Sequence, residues 1–272
     1  MSSEPSYFTP ADGGFQPTQF ALSHWGEDHL NGPAVVGLAA RTLEKHYGSD
    51  EFMPARLTVD LFRAARRTLT TVEVRVVRDG RRVRAAECDV LQDGRAVAQA
   101  TFVQYRRSEA PRGQEWTPPT AVPELPERDD ALMPYIGSED GGWTRSPAAH
   151  QNASRKRFYF SCADIVAGEK VSPFARAVTV AESTSLVTNL GTEGIGYING
   201  DLTVALSRLP VDDWILVQAD SHWAADGVAV GTATLFDPKG PFGSGMVTAV
   251  ANPAAQIDFT NRPFPRSETN YE

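Results

Sequence analysis

The chain has 272 residues, 41% of them hydrophobic, and a formal charge of −8. That length and apolar content sustain one or two packed domains, and the acidic balance argues against nucleic acid or an anionic membrane as partner. The first ten residues lack the charged and apolar regions of a signal peptide, and no apolar run is long enough for a bilayer, so a cytoplasmic protein is expected.

Asn31-Gly32-Pro33 opens an almost uncharged segment. Asn31 is placed to cap it, Pro33 is tolerated in the first turn and Gly48 can end it, which predicts a buried helix over 34–47. Alternating strand-like runs at 71–76, 83–91 and 97–105 follow, broken by Asp79-Gly80 and Asp93-Gly94. Asp-Gly between alternating apolar runs marks hairpins, so these form an antiparallel meander. Between Arg56 and Arg84 nine arginines stand against Asp60, Glu73 and Asp79, a pattern read either as a solvated sheet face or as a cationic rim for a phosphorylated ligand.

Residues 108–151 contain Pro111, Pro118, Pro119, Pro123, Pro126, Pro134 and Pro147, which excludes a continuous helix or central strand and predicts a connector. Ser172-Pro173 then opens a second helical segment over 174–190, and strand-like runs recur at 214–219, 228–236 and 246–250, with turns at Asp226-Gly227 and Lys239-Gly240. Residues 259–272 read as a tail.

The two series are copies of one unit. Arg-Leu-Thr-Val-Asp-Leu-Phe-Arg at 56–63 returns 145 residues later as Asp-Leu-Thr-Val-Ala-Leu-Ser-Arg at 201–208, and what surrounds each copy agrees in kind. Each half predicts one curved antiparallel sheet wrapped around one helix, an α+β architecture whose halves pack as a pseudo-dimer. The expected division is 1–107, a connector over 108–151, 152–258, and the tail.

No nucleophile elbow, zinc-protease motif, phosphate loop or dinucleotide fingerprint is present. His24, His29, His46, His150 and His222 show no ligand-like spacing, and Cys88 and Cys162 give neither a disulfide framework nor a metal motif. No metal and no cofactor are expected.

Residues 196–215 carry an Asp leading a strand (Asp201), an Arg followed closely by Pro (Arg208, Pro210) and a Trp behind an acidic turn (Trp214). This stretch resembles the double-hotdog acyl-CoA thioesterases, in particular an actinobacterial branch related to bacterial acyl-CoA thioesterase II. Phe15, Pro17, Thr18, Trp25 and residues 32–41 are similar to that family's N-terminal half. The resemblance implies two tandem hotdog units and hydrolysis of a fatty or related acyl thioester to the acid and free CoA. It places Asp201 as the base or water-orienting group, Ser221 or His222 as its partner, and Thr248 where the family has Gln. Such chemistry is sound, because a carboxylate can take a proton from water and a thiolate, whose conjugate acid has a pKa of about 8.5, leaves readily. The resemblance also points to Asn31 and Gly32 as donors to the carbonyl oxygen, and to Trp25 as a channel wall or a cover for the first helix. Arg56 stands where the second copy has Asp201, so at most one site per chain is expected. The partner is acyl-CoA or another acyl thioester, and a homo-oligomer of double-hotdog protomers fits the family. Two other readings stand beside it. The missing Gln favours a non-catalytic acyl-thioester binder or scaffold, and a hydratase or dehydratase would need a close Asp/His or Glu/His pair that no short motif supplies.

Overall fold

The computed structural model describes residues 5–118, 121–129 and 132–261. Pro119 of the connector and Pro263, Pro265 and Tyr271 of the tail lie outside them. The first half comprises β1 (Ser6–Ala11), β2 (Gly14–Pro17), α1 (Gly32–Tyr47), β3 (Phe52–Leu61), β4 (Thr70–Asp79), β5 (Val83–Gln92) and β6 (Arg95–Arg106). The connector contributes β7 (Tyr135–Ser138) and β8 (Gly142–Thr144). The second half comprises β9 (Lys156–Phe160), β10 (Asp164–Val166), α2 (Pro173–Ala181), α3 (Thr184–Asn189), β11 (Leu190–Gly191), β12 (Gly194–Ile195), β13 (Tyr197–Asn199), β14 (Asp201–Leu206), β15 (Ile215–Ala225), β16 (Val228–Asp237) and β17 (Gly240–Ala251).

Helix α1 forms as its caps predict. Asn31 Oδ1 accepts the Ala34 N–H at 2.9 Å, and the Gly48 N–H closes the last turn on the Glu44 carbonyl at 2.7 Å. Its apolar residues from Ala34 to Leu43 are buried, so truncating Leu38 to Ala carries the usual core penalty of about 2–5 kcal/mol. The expected single helix over 174–190 is instead two. Ser172 caps α2 through the Ala175 N–H at 3.1 Å, but at Glu182 and Ser183 the bonding tightens: Ser183 N–H and Oγ both donate to the Val180 carbonyl, at 3.1 and 2.7 Å. A serine that competes for the backbone in this way interrupts a helix.

Strands β4–β5–β6 and β17–β16–β15 form two meanders, β3 adds beside β6 and β14 beside β17, and the halves join edge to edge where β3 pairs with β14 in one fifteen-stranded sheet. Turns at Asp93-Gly94 and Asp226-Gly227 have positive φ at both residues, the conformation that two-residue hairpins require. At the seam Thr58 faces Thr203, their hydroxyls 3.1 Å apart and their numbers 145 apart. Each is the other's counterpart in the repeat, so a pseudo-twofold axis passes through this pair. The central helices pack on each other where a methyl on Gly37 would lie 2.7 Å from Thr179 Oγ1. They run antiparallel: Gly32 at the start of α1 meets Glu182, and Ser172 at the start of α2 donates its hydroxyl to Glu44 near the end of α1.

The connector carries two short strands at the sheet's edge, β7 pairing with β9 and with β8. The tail reading needs correction at its start, since Phe259 is buried with Leu190, Ile195 and Ile257. The arginine-rich strands form an exposed, ion-paired face, with Arg75 bound to Glu87 and Asp89 and Arg84 to Asp79. Among the described residues no helix is long and apolar enough to cross a membrane.

Candidate active site at the seam between the halves

Asp201 begins β14 immediately after a slip in the sheet. Strand β13 pairs Asn199 with Ala249, whereas β14 pairs Thr203 with Met246, so four residue steps on one side face three on the other. The extra residue breaks the two-residue period, so Asn199 and Asp201, two apart, fall on opposite faces. Asn199 points toward the helices, and Asp201 turns to Thr248. One Asp201 oxygen accepts the Thr248 N–H at 2.7 Å and the other accepts its hydroxyl. Among the described residues, these two bonds engage both carboxylate oxygens.

The other expected partners do not join this pair. In the register of β15 to β17, His222 lies beside Gly231 and Val247, while Trp223 lies beside Val230 and Thr248. His222 and Thr248 therefore occupy opposite faces of the sheet. His222 stacks edge-on against Tyr197 at 5.6 Å, where both line a cavity of about 730 Å³ with Asn189 and Arg155. Ser221 hydrogen-bonds Thr232 at 2.7 Å, across a strand irregularity between Ala219 and Ser221 that no sequence pattern announced.

Asn31 is a cap whose side chain is fully employed, donating to the Phe20 and Leu22 carbonyls at 2.9 and 3.2 Å while accepting from Ala34. Gly32 differs: as the first residue of α1 it has an N–H without an intrahelical partner. Trp25 packs against the Leu190, Ile195, Ile257 and Phe259 cluster of the second half, a structural contact between the halves.

The residue that sequence reading missed is Glu182. It is only 9% exposed, yet carries a carboxyl whose one hydrogen bond among the described residues comes from Asn199 Nδ2 at 3.3 Å. The same amide lies 3.4 Å from the Asp201 carbonyl. Burial pushes the Glu182 carboxyl up to about 7, against the smaller downward pull of Asn199. A methyl on Gly32 would lie 1.9 Å from Glu182 Oε1, so the carboxyl sits directly on the first turn of α1. A signal existed: Glu182 and Arg176 are the charged residues of segment 174–190, and an acid in so apolar a helix requires a reason. Gly32→Ala is accordingly expected to displace this carboxyl. Stability should change by less than about 1 kcal/mol, because a flexible side-chain end can move; thermal melts of the two proteins measure it.

A model of the N-terminal domain of acyl-CoA thioesterases matches residues 22–105, and one of their C-terminal domain matches residues 108–250. The chain belongs to the acyl-CoA thioesterase family. Its solved structural neighbours include a protein designated thioesterase II from Thermobifida fusca (16% identity, 87% of this chain and 91% of that one covered, TM-score 0.68). An acyl-CoA thioesterase II from Mycobacterium marinum aligns at 18% identity over 88% of this chain and 91% of that one, with TM-score 0.64. A hot dog fold protein from Alicyclobacillus acidocaldarius aligns at 14% identity over 89% and 95%, with TM-score 0.66. At these identities the neighbours establish the fold, which is the double hotdog. No curated protein matches the chain. Membership in the acyl-CoA thioesterase family supports thioester hydrolysis as the general activity of this double-hotdog chain.

Proposed function

We propose that this thioesterase hydrolyses a fatty or related acyl-CoA to the free acid and CoA, at a single site on the seam, where the second half supplies the acids and the first half the helix N-terminus. The observation that carries this reading is the meeting, across the seam, of the open first turn of α1 at Gly32 with the Glu182 carboxyl and the Asn199 amide that bonds it. The helix N-terminus supplies N–H density for a carbonyl oxygen that becomes negative as water adds. Asp201, its carboxylate held by Thr248 and its carbonyl 3.4 Å from the Asn199 amide, fixes the strand that sets Asn199 beside Glu182. Tyr197 lies two residues from Asn199 on the same face of β13, about 7 Å along the strand, so the cavity that Tyr197 shares with His222 is within reach of the acyl group.

The test is thiol release from acyl-CoAs of several chain lengths, read with a thiol-reactive dye. Cys88 and Cys162 are buried, which pushes both thiols up to about 12 and keeps the protein's own signal low. Asp201→Ala is expected to lower turnover by about 100-fold; turnover equal to the parent's removes Asp201 from the mechanism. The closed Asp201–Thr248 pair favours one rival, a binder that holds acyl thioesters without cleaving them. Saturable binding with no thiol release above the spontaneous rate would establish that rival.

A further inference from the structure

The acid best placed to receive a proton is not the one that the sequence singles out. Asp201 has both oxygens engaged by Thr248, whereas Glu182 has, among the described residues, a single bond from Asn199 and lies against the Gly32 turn. Around it stand Tyr7 of β1, whose phenol burial, Cys162 and Glu182 all push upward, and Asp201 beyond the shared Asn199 amide.

The repeat points to the same residue. Counted from the helix caps, Asn31 and Ser172, the tenth residue is Arg41 in α1 and Glu182 after α2. Arg41 is tied to Glu169, and Glu44 at that end of the helix pair accepts the Ser172 hydroxyl. On the strands Arg56 likewise answers to Asp201, and Val103, which pairs with Arg56, to Thr248. Both positions that are acidic in the second half are cationic in the first. At the Gly32 end of the helix pair the acid takes no hydrogen bond from a cation or a hydroxyl among the described residues.

We propose that Glu182 is the catalytic base, taking the proton from the water that attacks the thioester while Asp201 acts as a positioning residue through the Asn199 strand. This rests on the thioesterase reading above. The water oxygen bonds to the carbonyl carbon, its proton passes to the Glu182 carboxylate, and the carbonyl electron pair moves onto oxygen at the Gly32 N–H. Collapse of that adduct breaks the carbon–sulfur bond. The thiolate takes the proton back from Glu182, leaving the free acid, the thiol and the carboxylate restored.

The test is the pH dependence of kcat and KM for the parent, Glu182→Gln and Glu182→Asp, on an acyl-CoA that the parent hydrolyses. The parent should lose kcat/KM below a midpoint near 7, matching the burial of its carboxyl. Glu182→Gln should lose about 100-fold or more in kcat with KM held within about threefold, and Glu182→Asp should retain part of the rate with its midpoint displaced. Activity of Glu182→Gln within about threefold of the parent's overturns the proposal and leaves the thioesterase reading intact. So does a parent profile flat from about pH 5 to 8, which stands even where the Gln variant fails to fold. A parent inert toward every acyl-CoA overturns both.

Discussion

Arg208→Ala should destabilise the protein by about 3–5 kcal/mol at neutral pH, whereas Arg63→Ala, its counterpart in the repeat, should cost less than about 0.5 kcal/mol. The reason lies in what each half buries at the end of its third long strand. Asp237, with no exposed side-chain area, accepts both arms of the Arg208 guanidinium and the N–H groups of Val211 and Lys239 at 2.9 and 2.8 Å. Burial alone would raise its pKa, but Arg208 and these N–H groups hold it below the usual carboxylate range. Removing Arg208 leaves an uncompensated carboxylate in the core. The first half solves the same problem with a neutral amide: Gln92 Oε1 accepts the Arg66 N–H at 2.8 Å and its Nε2 donates to Thr70 at 2.9 Å, so no cation is needed and Arg63 is exposed. Because the folded pKa of Asp237 is depressed, its contribution is present above about pH 4 and is lost as pH falls through the folded value. The penalty in Arg208→Ala should therefore shrink in acid, and adding Asp237→Asn should recover more than half of it. Urea midpoints of the single and double variants at neutral and acid pH measure all three. A parent-like midpoint for Arg208→Ala at neutral pH would refute the account.

The second large effect concerns Glu182 and has the opposite sign. Its folded pKa is raised from 4.5 to about 7, so the folded state holds a proton that the unfolded chain has released over that window. The stability is fully present below about 4.5 and is lost as pH rises through 7, by about 3 kcal/mol from the size of the shift. Glu182→Gln keeps the shape without the charge, and should be more stable than the parent at pH 8 by about that amount while matching it near pH 5. Denaturation curves for both proteins at the two pH values decide it. Parallel pH dependence in parent and variant would mean that the carboxyl is not buried as described. Function and stability then oppose each other at this residue, which is expected where a buried acid serves chemistry.

Much of this protein follows from the sequence alone, wherever the controlling physics is local. Alternating apolar residues and Asp-Gly pairs define the meanders because side-chain parity and positive φ are properties of adjacent residues. Asn31 with Pro33, and Ser172 with Pro173, start the helices because a cap acts within one turn. The 145-residue offset fixes the two-unit architecture, and it places Thr58 against Thr203.

The site itself depends on contacts between distant parts of the chain. A one-residue slip near Gly200 turns Asp201 to Thr248 and Asn199 toward the helices, and the sheet register puts His222 on the face opposite Thr248. Face assignment beyond a bulge depends on a partner strand some fifty residues away, which no local pattern encodes. Glu182 stands out in the sequence only as an acid in an apolar segment. It becomes a buried carboxyl with a raised pKa only because the antiparallel packing of two central helices brings Gly32 of the first half onto it. The chain's repeat thus determined the fold, and the way the two copies meet decided which acid has an environment suited to chemistry.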